Sequence, residues 1–317
     1  MTTTVPAAES AELPEPTDHV DAHEGARRTS WQRMLAWAAL GIIILLTLFP
    51  FYWMLRTGLS NNRSLAGSPD SLLPVDLTLG GFRRVLGLST VAEAQAQGGS
   101  GASMQFWIYL RNSVITSTVI TVGQTLFSAM AAYAFARLRW PGRDKVFLLF
   151  LTALMVPPIF TTLPNFVLVK DLGLLNTYAG IVLPFMFMTP FAVFFLRQFF
   201  LGLSREIEEA AIIDGAGHIS VFFRIILPMS AAPVATLALL TFIKSWNEYF
   251  WPLLVGQEEN VRVLTVALGV FKSQTPQGSP DWAGLMAATL LAALPVMALF
   301  VAFGRRIVNS IQFSGIK

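Results

Sequence analysis

Two groups of polar residues stand out in a chain otherwise dominated by apolar runs. The first lies in the stretch 203–233, where Ser204, Glu206, Glu208, Glu209, Ala210, Ala211, Asp214 and Gly215 follow one another. Ser204 is of the type that caps a helix, and acids in the first turns complement the helix dipole. Ala210 and Ala211 leave room for the close approach of a partner surface. Asp214-Gly215-Ala216-Gly217 then reads as a stop, with Gly215 free to take the left-handed conformation that ends a helix. A second amphipathic segment, Ile219 to Leu227, runs into Pro228. A short, acidic, Ala-faced helix suits docking on another protein. The competing reading is a helix lying on lipid, and acidic rather than basic charge argues against it because the inner leaflet is anionic.

The second group is Lys244, Asn247 and Glu248, set in an apolar run among Trp246, Tyr249, Phe250 and Trp251. An ionisable residue in a membrane costs about 3 kcal/mol at the bilayer centre, so it faces a partner or a wet cavity. Lys244 and Glu248 are spaced to pair on one helix face, and the aromatics fit an interfacial belt. Equally, Trp246, Asn247 and Glu248 would line a path that stacks on and hydrogen-bonds a polar cargo. Asn112, Gln124 and Asn165 are further polar residues in or near apolar runs, and inter-helix hydrogen bonding accounts for them.

Other chemistries have no residues to carry them. The chain has no cysteine, so disulfides and thiolate metal sites are excluded. His19 and His23 lie four apart, but in a polar stretch with no helix to hold a metal. No His-Glu-x-x-His occurs, and beyond residue 30 the sole histidine is His218. No Gly-x-x-x-x-Gly-Lys-Ser/Thr loop is present either, so any ATP is bound by another chain.

The elements that must position these groups are membrane spans. Apolar residues make up 54% of the 317 and charged ones only 13%, against about 25% in a soluble domain; the mean hydropathy is +0.59. Runs long enough to cross a bilayer, about 20 residues each, lie near 34–55, 110–138, 146–169, 177–200, 233–254 and 284–303. The expected fold is therefore an all-α integral membrane protein with about six transmembrane helices. Pro157, Pro158, Pro184, Pro190 and Pro295 fall inside runs; such breaks are tolerated where neighbouring helices or cavity water satisfy the freed backbone. Arg27-Arg28 precedes the first run, but no small-residue cleavage site follows it, so it reads as a retained helix. With the N-terminus in the cytoplasm, inner segments hold thirteen Lys and Arg against eight outside, which places both termini inside.

The expected division is a disordered cytoplasmic tail over 1–32, the first span and a long extracytoplasmic loop over 33–106, a transmembrane core over 107–307 carrying the loop 203–230, and a cytoplasmic tail over 308–317. Within the long loop the Ala-, Gln- and Gly-rich stretch 94–101 reads as flexible.

Glu209-Ala210-Ala211, Gly215 after three further residues, then Ile225, Leu227 and Pro228 resemble the EAA loop of binding-protein-dependent ABC importers at every defining position. Tyr133-Ala134-Phe135-Ala136-Arg137 with Pro141-Gly142, Ser245-Trp246-Asn247-Glu248, and Arg305-Arg306-Ile307-Val308 before Ser314-Gly315-Ile316-Lys317 are similar to the carbohydrate branch, its MalG-type subunits in particular. The likeness covers the chain from about residue 34 onward, though the tail from Ser310 departs from the family's usual ending. The resemblance implies the transmembrane-domain fold of a type I ABC importer in the bacterial plasma membrane. It implies that the chain is no enzyme and binds no cofactor, with ATP and Mg held by a separate ATPase. Glu208, Glu209, Ala210, Ala211, Asp214 and Gly215 would form the coupling helix. The implied partners are a second, MalF-type permease subunit, two ATPase subunits, an extracytoplasmic solute-binding protein, membrane lipid and a sugar, with no nucleic acid. A stand-alone secondary transporter or channel is the alternative; it would bring inverted repeats and need no acidic docking loop.

Overall fold

The computed structural model describes residues 30–99, 104–273 and 280–312, with side chains for 31–99, 104–273 and 280–303. The expectations for residues 1–29, including His19 and His23, and for 313–317 lie outside the described residues. The chain divides into two compact units, Met1–Pro50 and Phe51–Lys317. The described part of the first is the apolar beginning of α1 (Ser30–Gly58), where the Thr47 hydroxyl donates to the Ile43 carbonyl at 2.8 Å.

In the second unit the end of α1 leads to three short helices, α2 (Asn62–Leu65), α3 (Gly80–Val85) and α4 (Val91–Ala96). The expectation of flexibility at 94–101 is corrected for residues 94–99. Thr90 and Glu93 form a capping box that starts α4, and the Gly99 N–H closes its end on the Ala94 carbonyl at 2.8 Å. The backbone N–H and hydroxyl of Thr90 hold the Glu93 carboxyl below the usual carboxylate range.

The axis of the unit is α5 (Phe106–Ala136), about 45 Å long at 1.5 Å per residue. Its buried face carries small residues such as Ser113, Ser117, Gly123, Ser128, Ala129 and Ala132. That lets α9 (Pro190–Leu201) and α13 (Ala231–Trp246) approach closely. Beyond α5 come α6 (Arg143–Thr152), a 3-10 turn, and α7 (Pro158–Asp171), bent by 96°. The bend has a local cause: a residue before proline is driven out of the helical region. Val156 and Pro157 precede prolines and are both extended, at ψ 114° and 134°.

The expected span 177–200 is split into α8 (Tyr178–Val182) and α9, each capped by a threonine, Thr177 and Thr189, whose oxygens accept from the N–H groups of Gly180 and Ala192. Among the described residues three helices are long and apolar enough to cross a membrane, Trp31–Gly58, Phe106–Ala136 and Trp282–Phe303, or up to five if each bent pair is one span. The second bent pair joins α11 (His218–Val221) and α12 (Leu227–Met229) to α13 at 82°. The remaining elements are α10 (Arg205–Ile213), α14 (Phe250–Val255), α15 (Leu264–Ser273) and α16 (Trp282–Gln312). The described residues form helices joined by turns and loops, with no strand.

Two cores lie at opposite ends of α5. One packs Tyr133 and Ala136 with Phe200, Phe222 and Ile226. The other packs Phe106 and Tyr109 with Val85 of α3, Trp246 of α13 and Ala287 of α16. At this second end α3 sits directly on the start of α16. A Cβ added to Gly81 would lie 2.8 Å from the carbonyl oxygens of Ala283 and Gly58. Both obstacles are backbone, so Gly81→Ala is expected to force the helices apart at a cost of about 1–3 kcal/mol, measurable as a lowered melting temperature in detergent.

Candidate functional site: a capped surface helix and a polar cavity

The acidic segment is the helix that its residues call for. The Ser204 hydroxyl accepts from the Glu206 N–H at 3.2 Å, which starts α10. Its end is a Schellman turn. The Ala216 N–H reaches the Ala211 carbonyl at 2.9 Å, the Gly215 N–H reaches Ile212 at 3.0 Å, and Gly215 has φ +89°. From there α11 runs into a π-turn at Phe222–Ile226, where the Leu227 N–H reaches back to Phe222. Pro228 follows and has no N–H to continue the ladder.

The six predicted coupling residues divide by the face on which they lie. Glu209, Ala210, Asp214 and Gly215 are exposed, and Ala211 is half-buried against the core at this end of α5. Glu208 departs from the expectation of a docking residue, because it points into its own chain and is 7% exposed. One carboxylate oxygen accepts from the Tyr133 hydroxyl at 3.0 Å, and the other lies 3.7 Å from Arg137 Nε. Arg137 in turn donates to the carbonyls of Phe200 and Leu203, just before α10 begins. Tyr133 and Arg137, one turn apart at the end of α5, thus hold both the entry to α10 and its first turn. The outward surface is apolar as well as acidic: Ile207, Ile212, Ile213 and, on α11, Ile219 are exposed, Ile213 at 85%. Contiguous exposed apolar side chains rimmed by charge mark an interaction surface.

The second predicted group is dispersed. Trp246 is buried: its indole N–H donates to the Ala292 carbonyl at 3.2 Å and its ring stacks on Phe242 in the core against α16. Asn247 is exposed, and its amide turns back to the Ile243 carbonyl at 2.8 Å. Glu248 faces a cavity of about 300 Å³ between α5, α7, α13 and α14. Lys244 lines the same cavity, as do Gln124 and Asn165 and the hydroxyls of Thr116, Thr161, Thr162 and Thr241. The expected Lys244–Glu248 pair is absent. Among the described residues the ion pairs are Arg84–Asp281, Arg137–Glu208 and those of Asp144 with Arg143 and Arg197. The Glu248 carboxylate instead accepts from the N–H groups of Phe250 and Trp251, at 3.1 and 3.3 Å, and so turns the chain into α14. Asn112, by contrast, is a buried cross-link as expected. It donates to the carbonyls of Asn260 and Arg262 and accepts from the Tyr178 hydroxyl at 2.6 Å.

Sequence reasoning missed two features of these sites. The role of Tyr133 and Arg137 was signalled by their i, i+4 spacing at the end of a long helix. The hydroxyl ring of α7 was signalled by Thr161, Thr162 and Asn165, one turn apart behind a double proline.

Comparison with known proteins agrees with this arrangement. The description "binding-protein-dependent transport system inner membrane component" matches residues 124–312. The arabinooligosaccharides transport system permease protein AraQ of Halalkalibacterium halodurans is 38% identical over 67% of this chain and 75% of that protein. The sn-glycerol-3-phosphate transport system permease protein UgpE of Salmonella typhi is 34% identical over 86% of this chain and 92% of its own length. The trehalose/maltose transport system permease protein MalG of Thermococcus litoralis is 30% identical over 87% and 94%. Among solved structures, a chain of a bacterial ABC transporter involved in the import of the acidic polysaccharide alginate shares the fold, with a TM-score of 0.73 at 22% identity over 88% of this chain and 98% of that one. The chain is therefore a multi-pass membrane protein that belongs to the family of binding-protein-dependent transport system inner membrane components, and it is a permease subunit of an importer of that kind.

Proposed function

We propose that this permease forms half of a translocation path for a sugar or a similar polyhydroxylated solute, driven by a separate ATPase that grips α10. The observation that carries the proposal is the build of the α10 segment. It is rigidly capped at both ends, tied to α5 through Glu208, and exposes Glu209, Ile212 and Ile213 on a face with no partner among the described residues. A surface element that must both hold another protein and pass on its movement needs that combination. The permeases AraQ, UgpE and MalG support the cargo class, since their names specify oligosaccharides, glycerol phosphate and disaccharides. In this reading both termini and α10 face the cytoplasm, and the end bearing α2–α4 faces a solute-binding protein outside. A second, MalF-type permease completes the path, and two ATPase subunits hold ATP and Mg. No secondary transporter working alone would need the α10 surface.

The test is association. Gly215→Asp places a side chain at φ +89° and a charge on the docking face; Glu209→Lys reverses charge there without touching the fold. Both variants are expected to insert normally and to lose co-purification of the ATPase by about tenfold or more, a loss of about 1.4 kcal/mol or more. Undiminished co-purification of the ATPase with both variants would overturn the assignment.

A further inference from the structure

We infer that the cavity between α5, α7 and α13 is a binding site for an anionic group, a phosphate or a carboxylate, carried on a polyhydroxylated cargo, and that Lys244 selects for it. The inference rests on the reading of this chain as a permease and adds a cargo class to it. Its starting point is a cation that no carboxylate approaches closely enough to pair with. Lys244 lies about 20 Å along α13 from Ala231 and lines the cavity, yet it makes no hydrogen bond or ion pair with the described residues. The nearest carboxylate in sequence, Glu248, shares the cavity but spends one oxygen on two backbone N–H groups at the start of α14. An ionisable group on a membrane helix faces a partner or a wet cavity. Lys244 is exposed where it lines the cavity, so its ammonium is open to an anion that enters.

The rest of the lining suits the remainder of such a molecule. Thr161 and Thr162 of α7 donate their hydroxyls to the Pro158 carbonyl and keep lone pairs to accept, and Asn165 of α7 and Gln124 of α5 add amides, the partners that cargo hydroxyls require. Trp251 and Phe185 meet edge to face at 5.6 Å and form an apolar wall. The Trp251 indole is fixed there by its bond to the Gly180 carbonyl at 3.2 Å. A wall of that kind receives the C–H face of a sugar ring or a glycerol chain. About 300 Å³ admits one such unit at a time rather than an oligomer.

The test uses the assembled importer, purified with its partner permease and ATPase in lipid nanodiscs, and three probes of single-unit size: sn-glycerol 3-phosphate, galacturonate and galactose. Binding by calorimetry is expected to favour at least one anionic probe over neutral galactose by about tenfold or more. The phosphate and carboxylate arms show which anion fits. Lys244→Gln is expected to erase that preference, and Lys244→Arg to keep it. Co-purification of the ATPase with each variant controls for assembly. If Lys244→Gln fails to assemble, the preference of the unaltered importer and of Lys244→Arg still decides the matter. Equal binding of all three probes by the unaltered importer, or an unchanged preference in an assembled Lys244→Gln, would overturn the inference while leaving the permease reading intact. Failure of the unaltered chain to hold any ATPase would instead overturn that reading.

Discussion

Glu208→Ala is expected to destabilise the α10 end of the bundle by about 3–5 kcal/mol, because it leaves Arg137 as a buried, uncompensated charge. The Arg137 side chain is only 2% exposed, and among described side chains Glu208 holds the one carboxylate paired with it. The Tyr133 hydroxyl would lose its acceptor as well. Glu208→Gln is expected to cost less, since the amide oxygen still accepts from Tyr133 and only the charge is lost; about 1–3 kcal/mol fits a charged hydrogen-bond partner made neutral. Thermal unfolding in detergent measures both. The double variant Glu208→Leu with Arg137→Met should be less damaging than the sum of its single changes by about 0.5–3 kcal/mol, the coupling expected of groups in one network. Strict additivity would show that the two side chains do not interact. Function offers a second readout. Glu209 lies on the exposed face and Glu208 on the inward one, so Glu208→Gln should retain the ATPase yet transport poorly for each ATP hydrolysed, whereas Glu209→Lys should lose the ATPase itself.

That contrast marks the limit of what the sequence made legible. The cap at Ser204, the extent of α10 and the stop at Gly215 are local, set by one side chain and a few backbone torsions, and they are where the residue types place them. Which of two adjacent glutamates turns inward is not local. Consecutive helical residues point about 100° apart, and only the position of α5 decides that Glu208 meets Tyr133 and Arg137. Trp246 illustrates the same limit. Its neighbours in sequence are polar and suggested a path, but its partner is Ala292, 46 residues further on. The pairing of Lys244 with Glu248 failed for a different reason. The i, i+4 rule assumes an uninterrupted helix, and α13 ends at Trp246, so Glu248 caps the next helix instead. The apolar runs were legible as membrane elements, and so was the break at Pro157-Pro158, but the extent of the break between Val182 and Pro190 depends on how the run is housed.

At the other end of α5, Asp281→Ala is expected to be as costly as any substitution in the chain, about 3–5 kcal/mol. Arg84 of α3 and Asp281 meet in a two-pronged pair, Nε to Oδ2 at 3.0 Å and Nη2 to Oδ1 at 2.8 Å, with side chains 4% and 2% exposed. The same aspartate caps α16, accepting from the Gly284 N–H at 2.8 Å, so its loss removes a helix cap along with the ion pair. Asn62 completes the clamp, donating to the Gly98 carbonyl at 2.7 Å and accepting from the Ala283 N–H at 3.2 Å. Arg84 also reaches the Gln97 side chain at 3.0 Å. Three segments far apart in sequence, around residues 62, 84 and 281, are thus joined by buried polar groups beside the apolar core at this end of α5. Such a network is sensitive to the removal of one member, because each partner left behind is buried and unsatisfied. Asp281→Asn keeps an acceptor for the cap and for one guanidinium N–H, and should cost less than half as much as Asp281→Ala. Arg84→Met combined with Asp281→Leu, which removes both charges, should recover part of the loss. Limited proteolysis between residues 59 and 99 reads the outcome directly: the segment should become cleavable in Asp281→Ala and remain protected in the unaltered chain. Equal protection in both would show that α3 is held by apolar contacts alone.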